Sequence, residues 1–314
     1  MQADALATAA TTAVEVCLGV GTDERCLIVT DPPRRAIGDA LAMAARERTS
    51  DTTLIEMPVG PQHGAEPPAA VAQAMADADV FIAPTTKSLS HTRARSAATD
   101  AGGRGATLPG ITPEVFIAGM QADYTAVAET THSLAAAVAD ASTVTVETPA
   151  GTDLRVDVRG RSWQTDTGAV TTPGAFSNLP AGEIFIAPTS AAGTVVIDGT
   201  MRPRGLLEET PVRFDVDDGQ VAAISDPAVA AQVEEAAAAV GDAASNFAEL
   251  GIGTNLGVTE LVGSVLLDEK MAGTVHVAIG DNAGIGGDVE APLHLDGIMR
   301  SPTVTVDGQP LALP

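Results

Sequence analysis

The sequence predicts two domains of different class, an α/β domain with a parallel sheet over residues 1–140 and an α+β, largely antiparallel domain over residues 141–314. In the first part, short apolar runs alternate with alanine-rich helical stretches, which is the rhythm of βαβ units. In the second part, hydrophobicity alternates with period two around glycine-containing turns, which is typical of hairpins. The change of rhythm near residue 140 sets the boundary between the domains.

The elements of the first domain follow from these runs. A buried strand is predicted at RCLIVTD (25–31), two further strands at TTLIEMPV (52–59) and DVFIAPTT (79–86), and helices at 34–48, 68–78 and 120–141. In the second domain, hairpins are predicted at 142–160, 211–224 and 302–313. Gly19 and Gly21 form a G-x-G stretch, but they precede the first strand instead of following it, so a dinucleotide fingerprint is not predicted.

The net charge of the chain limits the classes of molecule that it is expected to bind. The net charge is −24, and Lys87 and Lys270 are the only lysines. Such a surface repels nucleic acid phosphates and anionic lipid, whose binding depends on clustered Lys and Arg. An acidic, lysine-poor chain rich in small residues also suits a high-salt cytoplasm, so we expect a halophilic source.

Targeting signals are not apparent in the sequence. The acidic N-terminus is unlike a signal peptide, no apolar stretch reaches membrane-spanning length, and Cys17 and Cys26 are too few for a disulfide framework. We therefore expect a soluble, cytoplasmic protein that binds neither nucleic acid nor membrane.

Residues suited to metal binding concentrate after residue 180. If their segments are extended, His276 of GTVHVAIGDN and the pair His294 and Asp296 of LHLDG present two imidazoles and a carboxylate from separate strands. Glu183 begins one apolar strand and Glu249 lies within another, where a lone buried carboxylate is costly unless a cation or donor pairs with it. We predict that His276, His294 and Asp296 bind one divalent metal with both glutamates nearby.

Each of these residues also has a structural interpretation. A histidine on a strand is commonly a hydrogen-bonded core or surface residue, and an aspartate before glycine commonly forms a turn. A glutamate at a strand start is usually solvated. The residue pattern alone leaves both interpretations open.

Several motifs resemble those of the thermophilic metalloaminopeptidases, aminopeptidase T and leucyl aminopeptidase. They are NLPAGEIFIAP, FAELGIGTN, LLDEKMAGTVHVAIGDNAG, APLHLDG and, in the first domain, SLSHTRARSAATDAGGRGATLPGIT. The resemblance implies an aminopeptidase that dimerises, with two co-catalytic metals (Zn, Co or Mn) and a metal-activated water. By motif its metal ligands are Glu183, Glu249, His276, His294 and Asp296. If only one metal binds, Glu183 or Glu249 is instead a candidate catalytic base.

One position differs from the peptidase pattern, and the chain also resembles a second family of enzymes with another activity. The peptidases carry a tyrosine seven residues after the strand histidine, where this chain has Ala283. The 2,5-dihydroxypyridine dioxygenases are similar in fold but hold a single Fe(II), with a triad matched here by His276, His294 and Asp296. By the same likeness, His91 of SLSHT is a candidate catalytic base, and it is also interpretable as a helix-start residue bonded to backbone.

The main prediction is therefore a metal-dependent aminopeptidase acting on peptides. A mononuclear Fe(II) dioxygenase acting on a small ring compound is the alternative, and a non-catalytic metal-binding paralogue is a third possibility.

Overall fold

The computed structural model describes residues 2–314. The α-helices are α1 (Gln2–Thr11), α2 (Arg35–Arg48), α3 (Ala69–Asp77), α4 (Arg93–Asp100), α5 (Pro113–Met120), α6 (Tyr124–Val138), α7 (Pro227–Val240) and α8 (Val265–Asp268). A π-helical segment, Thr12–Cys17, follows α1 directly, and short 3-10 helices span Pro32–Arg34, Gly241–Ser245 and Ala283–Ile285.

The strands are β1 (Cys26–Thr30), β2 (Thr52–Glu56), β3 (Val80–Thr85), β4 (Arg104–Pro109), β5 (Thr143–Glu147), β6 (Asp153–Asp157), β7 (Gln164–Asp166), β8 (Phe176–Asn178), β9 (Glu183–Ile186), β10 (Ser190–Ile197), β11 (Thr200–Met201), β12 (Gly205–Leu206), β13 (Val212–Asp217), β14 (Gln220–Ala222), β15 (Phe247–Gly253), β16 (Val275–Gly280), β17 (His294–Met299), β18 (Thr303–Val306) and β19 (Gln309–Leu311).

The chain forms two compact units. The first runs up to Thr125 and also includes Thr167–Ala181, and the second comprises Ala126–Asp166 and Gly182–Pro314. A single cut at residue 140 does not describe this division. Helix α6 belongs almost entirely to the second unit, and the chain returns to the first unit to add β8 to its sheet. Because β8 comes from a distant part of the chain, no local change of composition indicates that it belongs to the first unit.

The first unit contains one parallel sheet of order β2-β1-β3-β4-β8. The predicted parallel sheet is confirmed, with β1, β2 and β3 inside the three predicted runs. β1 and β3 are buried at every position, as expected of apolar strands covered on both faces. β4 and β8 extend the sheet beyond the predicted strands.

The second unit contains two antiparallel sheets, of order β14-β13-β10-β6-β5-β18-β19 and β12-β11-β17-β16-β15-β9-β7. The three predicted hairpins are present as β5–β6, β13–β14 and β18–β19. Valine, isoleucine and leucine side chains from both sheets form one hydrophobic core together with α6 and α7. The largely antiparallel character predicted for this part of the chain is confirmed.

Within residues 2–314, no helix combines the length and the apolar character that crossing a bilayer requires.

Candidate functional site

The sheet that contains β9, β15, β16 and β17 has one apolar face and one polar face. The residues that alternate on its apolar face, among them Ile184, Leu250, Val277 and Leu295, belong to the core of the second unit. The register pairs Glu249 with Ala278 and Ala278 with Asp296. Cross-strand partners share a face, and so do residues two apart on one strand. Consequently, the other face carries all five predicted metal ligands: Glu183, Glu249, His276, His294 and Asp296.

A β-bulge directs Glu249 to the polar face. Phe247 pairs with Ile279 while Glu249 pairs with the preceding residue of that strand, Ala278, so Ala248 is an extra residue in β15. In a regular strand, Phe247 and Glu249 would lie on the same face because they are two residues apart. The bulge separates them, so that Phe247 packs into the core while the carboxylate lies among the histidines.

Gly251 provides the space for His276. The two residues are cross-strand partners, and a Cβ atom at position 251 would lie 2.0 Å from Nε2 and 2.2 Å from Cε1 of the imidazole. The ring therefore lies across the backbone of the neighbouring strand. From there, its Nε2 is 3.3 Å from Glu249 Oε1 and 3.4 Å from Glu183 Oε2. The glycine allows His276 to reach two carboxylates, which a larger residue would prevent.

The imidazole of His294 has a defined tautomer. Its Nδ1 lies 2.7 Å from the carbonyl oxygen of Asp281, and because a carbonyl only accepts, Nδ1 must donate. The other nitrogen, Nε2, lies 3.2 Å from Glu249 Oε2 and 3.1 Å from Asp296 Oδ1. A backbone acceptor on one ring nitrogen is the usual support for a histidine that binds metal through the other.

Two groups of potential ligand atoms share Glu249. Ligand atoms of Glu249, His294 and Asp296 lie within 4.8 Å of one another, and within residues 2–314 this is the one group of three or more such residues that meets that spacing. His276 is outside this group and contacts the other oxygen of Glu249. The carboxylate of Glu249 thus lies between the two imidazoles.

Lys270 is a buried cation beside this cluster. Its Nζ lies 2.5 Å from Glu183 Oε1 and 2.7 Å from Glu269 Oε1. Together with Glu249 and Asp296, which contact the imidazoles, the site holds four carboxylates and one ammonium. This leaves three negative charges when all four carboxylates are ionised and both imidazoles are neutral. Charge of one sign in a largely buried site is costly unless a cation or protons compensate it.

The pKa values of the buried groups reflect this excess of negative charge. Burial raises the pKa of Glu183 to about 8. Burial lowers the pKa of His276, but the hydrogen bond to Glu249 and the charge of Glu183 outweigh it and raise that pKa to about 9. The pKa of His294 is also raised well above its ordinary value, because Asp296 and Glu249 outweigh the effect of burial. Protons on the imidazoles therefore supply positive charge where a metal ion would otherwise supply it.

The donor set fits a divalent cation. With Nδ1 of His294 donating to a carbonyl, its neutral Nε2 would place a lone pair against two carboxylate oxygens, which repel it unless positive charge lies between them. Glu183 Oε2 and His276 Nδ1 are buried and accept or donate no hydrogen bond. Imidazole with carboxylate oxygen suits Zn, Fe, Co and Mn.

The remaining predicted positions have different surroundings. His91 is exposed and lies in the first unit, directly before Thr92, whose side chain accepts from the amide of Arg95 and so caps α4. Ala283, at the position of the peptidase tyrosine, is exposed in a 3-10 turn after β16. Tyr124 is the chain's one tyrosine. It is buried in the first unit, where its hydroxyl donates to the carbonyl of Gly119.

Three residues of the site were not predicted from the sequence: Lys270, Glu269 and Gly251. A signal for Lys270 was present, because one of only two lysines directly follows two acids in LLDEK. Gly251 gave no such signal, because the need for a glycine arises only from the register that places it opposite His276.

A family model and solved structures match nearly the whole of this chain. The model of the NicX family, 2,5-dihydroxypyridine 5,6-dioxygenase, matches residues 6–313. The structure of 2,5-dihydroxypyridine dioxygenase from Pseudomonas putida KT2440 is similar with a TM-score of 0.77 and 19% identity, covering 98% of this chain and 95% of that one. Wild-type AmpT from Thermus thermophilus is similar with a TM-score of 0.71 and 19% identity, covering 99% and 98%. No match was found among curated proteins.

The family model that matches nearly the whole chain is that of an enzyme, and both solved structures are similar to this chain in fold. The chain belongs to the 2,5-dihydroxypyridine 5,6-dioxygenase family, whose model covers nearly all of it. The family match thus falls on the alternative given in the sequence analysis, and the resemblance to the aminopeptidases extends to the fold.

Proposed function

We propose that this protein is a mononuclear Fe(II)-dependent dioxygenase that cleaves the ring of a small dihydroxylated aromatic compound of the 2,5-dihydroxypyridine type. The match of the family model to residues 6–313 carries the proposal. The site supports it, because two histidines and one aspartate of the expected triad lie on one face of adjacent strands. Ala283, in place of a tyrosine, also argues for chemistry other than peptide hydrolysis.

His276, His294 and Asp296 are the proposed iron ligands. Bound iron would supply oxygen activation, and a triad of this kind leaves positions open for substrate and O₂. The protein's own contribution is to fix the ligands: the carbonyl of Asp281 holds the ring of His294, and Gly251 makes room for His276.

The charged residues around these ligands have supporting roles in this proposal. Lys270 neutralises part of the negative charge of Glu183 and Glu269, and so opposes the rise in pKa that burial causes in both carboxyl groups. Glu249 touches both imidazoles and so orients them toward the same region of the sheet.

Anaerobic loading followed by turnover tests the proposal. Protein purified in high salt is loaded with Fe(II) without oxygen, and 2,5-dihydroxypyridine and O₂ are then added. We expect one iron per chain and one O₂ consumed per ring cleaved. His294→Ala should abolish iron binding, whereas His132→Ala, a histidine of α6 outside the cluster, should retain it. Protein that binds one iron per chain and leaves both the ring and O₂ unchanged would refute the dioxygenase proposal.

A metal-dependent aminopeptidase is the second candidate, supported by the position of Glu249. Its Oε1 contacts His276 and its Oε2 contacts His294, an arrangement that suits a carboxylate bridging two cations. This function predicts two equivalents of Zn, Co or Mn per chain and release of the chromophore from an aminoacyl anilide. Firm metal binding without either activity would instead indicate a non-catalytic paralogue.

A further inference from the structure

The first unit contains a cavity that is separate in sequence from the histidine and carboxylate cluster. It has a volume of about 300 Å³ and is lined by residues of two loops, 57–68 after β2 and 87–89 after β3. β1 lies between these two strands in the sheet. The chain passes from β1 to β2 on one side and then crosses to β3 on the other side, so the direction in which strands are added reverses at β1. Ligands of open α/β sheets bind outside the carboxyl ends of strands at such a reversal.

The walls of this cavity are held by specific hydrogen bonds. The amide of Gly64 donates to the carbonyl of Ser88, and the amide of Ser88 donates to His63 Nδ1, which ties the two loops together. Thr85 Oγ1 donates to the carbonyl of Lys87 and fixes the start of the second loop. The cavity is therefore a built feature of the two loops, and its size is at the lower end of small-molecule sites, roughly 300–1,000 Å³.

The lining is mostly apolar and contains one uncompensated cation. Met57, Val59, Leu89 and several prolines contribute apolar surface. Lys87 is half-buried in the lining, and within residues 2–314 its ammonium has no ion pair or hydrogen bond. Such a cation is unusual in a chain with a net charge of −24 and only two lysines.

The acid in the lining does not neutralise Lys87. The carboxylate of Glu66 accepts from the backbone amides of Arg93 and Ala94 at the start of α4, and also from Arg93 Nε. Its negative charge is thus directed toward the helix N-terminus, where backbone amides favour it. The cavity consequently combines apolar walls with one positive charge that the acid in its lining does not neutralise.

We propose that this cavity binds a small organic anion, with its carboxylate on the ammonium of Lys87 and its apolar part against Met57 and Leu89. An ion pair formed beside apolar walls is stronger than one in open solvent, because less water screens it. The protein as a whole carries a net charge of −24, so the combination of one local cation and apolar contact selects a monoanion over a highly charged phosphate compound.

Benzoate and its neutral isostere benzamide are suitable probes. Each is titrated into isotope-labelled full-length protein at the lowest salt at which the protein stays folded, and amide shifts of residues 57–68 and 87–89 are followed. We expect saturable one-to-one binding of benzoate, at least tenfold tighter than that of benzamide. Lys87→Met should weaken benzoate binding at least tenfold, and Ala65→Phe, which fills the cavity, should abolish it.

Arg93→Met is the matched control, because it removes a highly exposed cation while the backbone amides of residues 93 and 94 continue to hold the carboxylate of Glu66. It should change benzoate affinity by less than about threefold, and Lys87→Arg should keep most of the affinity. The proposal would be overturned by the absence of saturable shifts up to the solubility limit of benzoate. Equal loss of affinity in Lys87→Met and Arg93→Met would also overturn it, because only general electrostatic attraction would then remain.

Discussion

The substitution Gly251→Ala tests how the neighbouring strand positions His276. A Cβ at position 251 would lie 2.0 Å from Nε2 of the imidazole, whereas non-bonded heavy atoms pack at about 3.5 Å. The ring must therefore move by roughly 1.5 Å, far beyond the roughly 0.2 Å within which ligand distances hold. Gly251 lacks a positive φ, so alanine strains the packing without straining the backbone.

The expected loss in metal affinity is about 100-fold, which corresponds to about 2.8 kcal/mol at 1.4 kcal/mol per tenfold. Competition against a chromophoric chelator measures this loss, and denaturant unfolding of the metal-free protein measures a separate cost of about 1–3 kcal/mol from overpacking. Gly60→Ala is the control, because a Cβ there meets nothing closer than 3.6 Å.

Metal affinity of Gly251→Ala within about threefold of the unchanged protein would refute the reasoning. His276 would then not be a ligand, or the cluster would bind metal in a different arrangement from the one that the register implies.

Four further predictions concern stability. Lys270→Met leaves two buried carboxylates without their cation and should cost about 3–5 kcal/mol in denaturant unfolding. Glu24→Gln removes the partner of the buried Arg104 and should cost about 1–3 kcal/mol at neutral pH. The hydrogen bond from Arg104 lowers the pKa of Glu24, so this contribution is present above about pH 4.5 and is lost as pH falls through the folded-state pKa. Tyr124→Phe should cost about 1–2 kcal/mol and leave metal binding unchanged, since its hydroxyl bonds backbone groups. Because the net charge is −24, added KCl should raise the unfolding temperature.

Each of these predictions has an outcome that contradicts it. Unchanged stability of Lys270→Met would mean that Glu183 and Glu269 are neutral in the metal-free protein. If the free energies of unfolding of Glu24→Gln and the unchanged protein differed by the same amount at every pH, the predicted dependence on ionisation of Glu24 would be wrong. If Tyr124→Phe bound less metal per chain, the phenol of Tyr124 would take part in metal binding after all. A fall in unfolding temperature with KCl would contradict the predicted halophilic source.

Local sequence patterns were sufficient for most secondary structure. Strands such as β1 and β3 are apolar at nearly every position, because a parallel strand is covered on both faces. The hairpins β5–β6 and β13–β14 alternate because one face packs on the core. The unit boundary was not predictable in this way, since Thr167–Ala181 joins the first unit only through the long-range pairing of β8 with β4.

The composition of the candidate site was also accessible from sequence. His276, His294, Asp296, Glu183 and Glu249 are ligand types in extended segments, and the structure brings them to one face of one sheet. The predicted homodimer and the role of His91 stay predictions.

The amino-acid sequence by itself determined the kinds of strand, the acidic surface and the inventory of ligand side chains, because these depend on local periodicity and residue chemistry. Only the tertiary structure decided which atoms meet. The bulge at Ala248 turns Glu249 away from the core, and Gly251 admits the imidazole of His276. Lys270 reaches Glu183 across 87 residues of chain. Such contacts depend on strand register and on long-range chain closure, which no short stretch of sequence specifies.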